Sequence, residues 1–347
     1  MRENTTKMRV GVLTGGGDCP GLNAAIRAIV RKGIKDYGMT FLGIKEGWKG
    51  LLEANAIILD RDNVSGLLVR GGTILGSTPA SVFKKDIMLD KFIEGYKELE
   101  LDALIVIGGD STLGAASRLS DAGLKVIGIP KTIDNDLTGT DRTIGFSTAL
   151  TVATEAVDRV HTTAESHHRV IIVEVMGRQA GWIAVMAGIA GGADMILIPE
   201  RPFDIEDVCK HIKKRHETKN FTIVVVAEGA LQKGGQATFK EGEKDAFGYA
   251  TLGGIAYWLK DEIRKRLGFD TKAVILGHVQ RGGTPTPEDR ILATEFGIKA
   301  VTLIHENKHG LMVGLKGDKI VTSPLKEASK GRNVPPEIYS MSETFFD

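Results

Sequence analysis

Three short stretches carry residue types suited to moving a phosphoryl group. They are Gly15-Gly16-Gly17, Gly108-Gly109-Asp110-Ser111-Thr112 and Lys131-Thr132-Ile133-Asp134-Asn135-Asp136. Gly108 and Gly109 allow backbone to approach a phosphate closely, and a helix opening just after them favours negative charge. Asp110 can hold Mg²⁺, a cation that takes one or two carboxylates and fills its shell with waters and phosphate oxygens. Asp134 can take the proton from an attacking hydroxyl, and Asp136 can orient that hydroxyl or stand near the metal. A single Gly-rich turn reads equally well as a plain strand-to-helix connection. Two acidic turns on successive strands of one βαβ unit are a much rarer coincidence.

The elements around these turns follow from apolar spacing. Leu104 to Ile107 is a continuous apolar run, the mark of a strand buried on both faces. Leu113, Ala116 and Leu119 then form a helical stripe, and Lys125 to Ile129 is the next strand. Met8–Thr14 reads as an earlier strand, followed by a helix with Ile26, Ile29 and Val30 on one face and Asn23 as its cap. Thr40–Ile44 is a strand, Glu46–Gly50 a loop, and Arg70 to Ser77 another Gly-rich turn. Downstream, strands are predicted at Val170–Val175, Met195–Pro199, Phe221–Ala227 and Lys272–Leu276. Helices are predicted over 149–164, 205–215, 252–267 and 289–305, with an exposed excursion over 232–249 and short strands past Gly310. The class is α/β with mostly parallel sheets, in which ligands bind beyond the carboxyl ends of the strands.

The chain of 347 residues is long enough for two domains. Lys plus Arg is 45 against 44 Asp plus Glu, so no bulk basic surface points to nucleic acid. The two cysteines, Cys19 and Cys209, make neither a disulfide framework nor a metal motif, which favours a reducing compartment. The first seven residues lack an apolar core, so no signal peptide is read, and no apolar run reaches the ~20 residues of a membrane span. A cytoplasmic protein without membrane partners is the expectation.

Six motifs stand in an order that resembles the 6-phosphofructokinases: TGGGDCPGLNAAIR, RGGTILGS, IGGDST, PKTIDND, VEVMGRQAG and LGHVQRGG. The resemblance covers the chain from about Val10 to Ala293. The resemblance implies two Rossmann-like three-layer domains with the active site in the cleft between them. Residues 1–145 plus about 280–307 would form the larger, donor-binding domain. Residues 146–279 plus about 308–347 would form the smaller domain for fructose 6-phosphate. Donor contacts are expected from Gly17, Arg70, Gly109, Asp110, Ser111 and Thr112, with Mg²⁺ on Asp110. Catalysis falls to Asp134 as base, with Thr132 and Lys131. The acceptor would be held by Thr132, Asp134, Asp136, Met176, Gly177, Arg178, Glu228, His278 and Arg281. Arg169 and Lys272 would come from a neighbouring subunit, which implies a homodimer or homotetramer. His278 and the arginines suit a phosphate monoester.

The chain also departs from the family pattern. After Ser77 it has Thr78-Pro79-Ala80 where members often place a phosphate-binding Arg and an aromatic near adenine; Lys84 and Lys85 lie close by in sequence. Arg27 and Arg31 match family effector-site arginines, but the Ala54-Asn55 region lacks the expected Arg and His161 stands at another basic position, so weak effector response is expected. The donor is ATP or pyrophosphate. Pyrophosphate users typically carry Asp where this chain has Ser111, a residue without the charge that would repel an α-phosphate. Lys131 matches the pyrophosphate type, yet a mixed branch keeps that Lys and uses ATP. The balance favours ATP.

Three other functions share parts of this pattern. A Rossmann NAD enzyme would need a GxGxxG opening the first βαβ unit, and none stands there. A non-catalytic phosphosugar sensor would tolerate loss of Asp110, Asp134 or Asp136, and all are present. A lipid or NAD kinase would lack the Arg169, His278 and Arg281 set.

Overall fold

The computed structural model describes residues 7–78, 88–235, 239–244, 250–252, 254–344 and 346. The chain opens with β1 (Arg9–Thr14), α1 (Leu22–Tyr37), β2 (Thr40–Ile44), α2 (Trp48–Leu52), β3 (Ala56–Leu59) and α3 (Met88–Glu98). β4 (Ala103–Gly108), α4 (Asp110–Asp121), β5 (Val126–Pro130) and the long α5 (Phe146–His167) follow. Next come β6 (Val170–Val175), α6 (Trp182–Ala190), β7 (Met195–Leu197), α7 (Ile205–Arg215) and β8 (Thr222–Ala227). A hairpin of β9 (Phe239–Lys244) and β10 (Ala250–Leu252) leads to α8 (Ile255–Leu267) and β11 (Thr271–Ile275). The chain ends through α9 (Pro287–His305), β12 (Leu311–Lys316), β13 (Lys319–Pro324) and α10 (Pro336–Glu343).

The class is α/β with mostly parallel sheets, divided into two compact units. The first comprises Met1–Ile133, Leu137–Ser147 and Arg281–Gly331. Its seven-stranded sheet has the order β13-β12-β5-β4-β1-β2-β3, parallel from β12 through β2 and antiparallel at each edge. Every residue of β4 is buried, as its unbroken apolar run requires. Leu13, Leu104, Val106 and Leu113 pack with Trp48 and Phe92 in the core, where the two rings meet edge to face at 5.5 Å. Residues 308–331 were expected in the smaller domain. They lie instead in this unit, because β12 pairs with β5 and extends its sheet. α1 starts after Gly21, whose φ of 109° is a left-handed conformation, and no side chain caps it. Asn23, expected as that cap, lies inside the helix with its side chain committed elsewhere.

The second unit comprises Asp134–Asp136, Thr148–Gln280 and Arg332–Asp347. Its four-stranded sheet, β11-β6-β8-β7, is parallel throughout. Val170, Ile172, Val224 and Val226 face Val208 and Ile212 of α7 and Leu259 of α8. α7 matches the sequence reading and carries its own signals: Asp204 accepts from the Glu206 amide at 2.9 Å, and Lys213, Lys214 and Arg215 fill the last turn. Pro79, Ala80, Lys84, Lys85 and part of the 232–249 excursion lie outside the described residues.

One buried charge ties this sheet to a helix. Glu174, in the middle of apolar β6, is 2% exposed. Its carboxylate accepts from the amides of Gly254 (3.4 Å) and Ala256 (2.9 Å) at the start of α8, which has no capping side chain of its own. A carboxylate on orphaned amides at a positive helix end is favourable, and removing it leaves those donors buried. Glu174→Ala should therefore destabilise the protein by about 1–3 kcal/mol, read by urea denaturation, with Glu174→Gln losing less because one acceptor remains.

Candidate active site

In the first unit the carboxyl ends of the parallel strands gather four loops. The turn after β1 and the turn after β4 are spaced by Thr112, which is 2% exposed. A Cβ on Gly15 would stand 2.7 Å from the Thr112 methyl, and one on Gly108 2.2 Å from it, so only glycine fits at either position. Thr112, expected to touch the donor, is packed between the two turns. Asp110 and Ser111 open α4 and are both exposed, with the Ser111 hydroxyl 3.3 Å from an Asp110 carboxylate oxygen. Lys131, at the end of β5, is 2% exposed, and its ammonium donates to the carbonyls of Gly15 (3.0 Å) and Gly17. The cation is thus fastened to the triple-glycine turn.

The loop over 70–78 is sewn onto that turn. The Asn23 side chain donates to the carbonyls of Arg70 (3.2 Å) and Gly71 (3.1 Å) and accepts from the Ile74 amide (2.9 Å). Thr14 donates to the Gly76 carbonyl at 2.8 Å, and the Ser77 hydroxyl reaches the Gly16 carbonyl. Arg70 itself is exposed. Arg281, expected on the acceptor side, stands in this same unit. One of its guanidinium nitrogens would be 2.7 Å from a Cβ on Gly17, so Arg281 lies directly across the triple-glycine turn. Cys19, next to it in sequence, is no nucleophile: burial pushes its thiol up to about 12.

In the second unit, Asp134–Asp136 and the ends of β6, β8 and β11 carry most of the residues expected to hold the acceptor. Asn135 adopts a left-handed conformation (φ 52°) and is 2% exposed, which turns the chain sharply between the two aspartates. Met176, Gly177 and Arg178 follow β6, Glu228 follows β8, and His278 lies in the exposed turn after β11. Gln280, fully buried, accepts from the Met176 amide at 3.3 Å and donates to the Gly277 carbonyl at 3.0 Å. Burial, then the charges of Asp134 and Glu174, push the Glu228 carboxyl up to about 7, with the Gly177 amide and Arg178 acting the other way. Asp134 and Glu228 are therefore electrostatic neighbours within this unit.

A profile of the phosphofructokinase family matches residues 9–304. The chain belongs to that family. It is 54% identical to a pyrophosphate–fructose 6-phosphate 1-phosphotransferase of Amycolatopsis methanolica over 98% of this chain and 100% of the relative. It is 51% identical to ATP-dependent 6-phosphofructokinase 3 of Streptomyces coelicolor over 97% of this chain and 99% of that one. Among solved structures, phosphofructokinase of Pichia pastoris in its T-state superposes with a TM-score of 0.83 at 34% identity. That comparison covers 99% of this chain and 37% of the yeast chain.

Two residues predicted from the phosphofructokinase motifs stand apart from the rest. Arg169 and Lys272 both pair with Asp270, at 2.6 and 2.9 Å, and hold its carboxyl below the usual range. They sit at the amino ends of β6 and β11, whereas Met176, Gly177, Arg178 and His278 follow the carboxyl ends. At ~3.3 Å per residue, the six residues of β6 separate Arg169 from Met176 by roughly 20 Å. The sequence reading missed Gln280 and Glu174, although a carboxylate inside an apolar strand is itself a signal. It also missed Arg332, for which the sequence carries none.

Asp110 suits Mg²⁺ by the chemistry of its surroundings. It is an exposed carboxylate at the turn after β4, and Mg²⁺ takes one or two such carboxylates with waters and phosphate oxygens. The Glu228 shift gives a pH signature. Its folded-state value is raised, so its contribution to stability is whole below about 4.5 and lost as pH rises through about 7. Wild type should lose up to about 3 kcal/mol relative to Glu228→Gln between pH 4.5 and pH 8, measured by urea denaturation of both proteins across that range.

Proposed function

We propose that this phosphofructokinase transfers the terminal phosphoryl group of ATP to the 1-hydroxyl of fructose 6-phosphate, giving fructose 1,6-bisphosphate. The observation that carries the chemistry is the Asp134–Glu228 pair. The Asp134 charge is one cause of the raised Glu228 pKa, so the two carboxyls share one neighbourhood at the end of the second sheet. Glu228, ionising near pH 7, can exchange hydrogen bonds with a sugar hydroxyl. Asp134 takes the 1-hydroxyl proton as that oxygen bonds to the terminal phosphorus, and the bond from phosphorus to the leaving phosphate breaks. Arg178 and His278 bind the sugar phosphate, Asp136 and Met176 line the sugar, and Thr132 holds the transferring group. On the donor side, Gly17, Arg70 and Gly109 bind the phosphates with Lys131 assisting catalysis. Arg281 binds the sugar phosphate. Asp110 would hold Mg²⁺, which supplies charge neutralisation on the donor oxygens.

ATP is proposed as donor because Ser111, exposed beside Asp110, brings no negative charge against an α-phosphate. Pyrophosphate is the alternative, and the relative from Amycolatopsis methanolica named for that donor supports it. Self-association to a homodimer or homotetramer is proposed from Arg169 and Lys272. A neighbouring subunit could present them to an acceptor that lies a strand's length from them within one chain. No helix among the described residues is long and apolar enough to cross a membrane, and cytoplasm is the proposed compartment.

General-base help is worth about 10²–10⁴-fold. Asp134→Ser should lose at least 10²-fold in kcat while fructose 6-phosphate still binds, as steady-state kinetics and calorimetry will read. Near-normal turnover would exclude Asp134 as base. Paired assays with Mg-ATP and Mg-pyrophosphate test the donor: activity with pyrophosphate alone would reject ATP. Ser111→Asp should shift the ratio toward pyrophosphate, and an unchanged ratio would place discrimination at another residue.

A further inference from the structure

Arg332 is where the chain re-enters the second unit after its passage through β12 and β13. It makes an unusual set of contacts for a residue outside every motif. Its backbone amide donates to the Asp136 carbonyl at 2.7 Å. Two guanidinium nitrogens, Nε and Nη2, donate to the Asn135 carbonyl at 3.2 and 3.0 Å. The guanidinium carbon lies 4.4 Å from the centroid of the Trp182 ring, and the Trp182 indole N–H donates back to the Arg332 carbonyl at 3.0 Å. Two residues on, the Val334 amide donates to Glu200 at 2.9 Å. The same Glu200 carboxylate accepts from the Gly181 amide at 3.0 and 3.1 Å, at the start of α6.

These contacts join two segments that must act together. One is the Asp134–Asp136 turn. The other is the loop from Gly177 to Gly181, which carries Arg178 and ends on Trp182. Asn135 sits in a left-handed conformation with its side chain buried. Asparagine accepts that backbone state more readily than other L residues, but the direction of the turn is still left to be fixed by its contacts. A guanidinium forked onto the carbonyl at the crest of that turn, and stacked on an indole, supplies such a hold through charge-assisted and cation–π contacts. We propose that Arg332 is a positioning residue for phosphoryl transfer: clamped on Trp182, it fixes the orientation of the Asp134–Asp136 turn relative to the Arg178 loop. This rests on the role given to Asp134 above.

The test uses the full-length protein with Arg332→Met, which keeps an apolar stem against Trp182 and removes the forked donors, and Arg332→Lys, which keeps a cation. A misplacement of about 1 Å at a reacting group costs on the order of 10²-fold. Arg332→Met should therefore lose on the order of 10²-fold in kcat with little change in the KM for fructose 6-phosphate, and Arg332→Lys should fall between. Hydrogen exchange at 134–137 should quicken in Arg332→Met, while amides of β6 and β8 keep wild-type protection. Wild-type kcat in Arg332→Met overturns the proposal, as does unchanged exchange at 134–137. If Arg332→Met proves globally unfolded, Arg332→Lys decides, and wild-type kcat and exchange there overturn it. Should the wild-type protein fail to phosphorylate fructose 6-phosphate, the functional reading falls while the exchange arm still tests the clamp.

Discussion

Two glycine turns must close on one buried side chain, and the first unit is built around that steric constraint. The turns after β1 and β4 run side by side because their strands are parallel neighbours. Thr112 fills the space between them, and glycine at 15 and 108 is the condition for its fit. Lys131 then binds its ammonium to two carbonyls of the first turn, so a β5 side chain holds a β1 loop. Asn23 does the same for the loop over 70–74. The exposed groups, Asp110 and Ser111, are left facing outward on a scaffold whose own polar atoms bind each other.

The second unit solves a different problem, which is to keep carboxyl groups buried without scattering their protons. Glu174 accepts from two amides at the start of α8. Glu228 follows the adjacent strand, and burial, then the charges of Asp134 and Glu174, push its carboxyl up to about 7.

Most of the fold was legible because parallel strands buried on both faces announce themselves. β6 and α7 were read to the residue, β4 was read one residue short at each end, and β8 one residue long at its start. The edges were not legible. β12 and β13 carry mixed polarity, and nothing local says that Leu311 and Met312 pair with β5. Asn23 misled for a physical reason: the same amide that caps helices also bridges loops, and the choice depends on a segment some fifty residues away. For the site, residue types at strand ends pointed to phosphoryl chemistry, whereas the residues holding those ends in place are connected only in three dimensions. Arg281 shows the limit of motif reading, since its place across Gly17 comes from the return of α9 to the first unit rather than from its own neighbours.

The path of the chain has one further consequence, and it concerns truncation. The backbone passes from one unit to the other five times, after Ile133, Asp136, Ser147, Gln280 and Gly331. The second unit borrows a mere tripeptide, Asp134–Asp136, from the middle of the first. No single cut of the chain separates the two units, so a truncation at any one of these crossings would leave at least one of them without part of its own backbone.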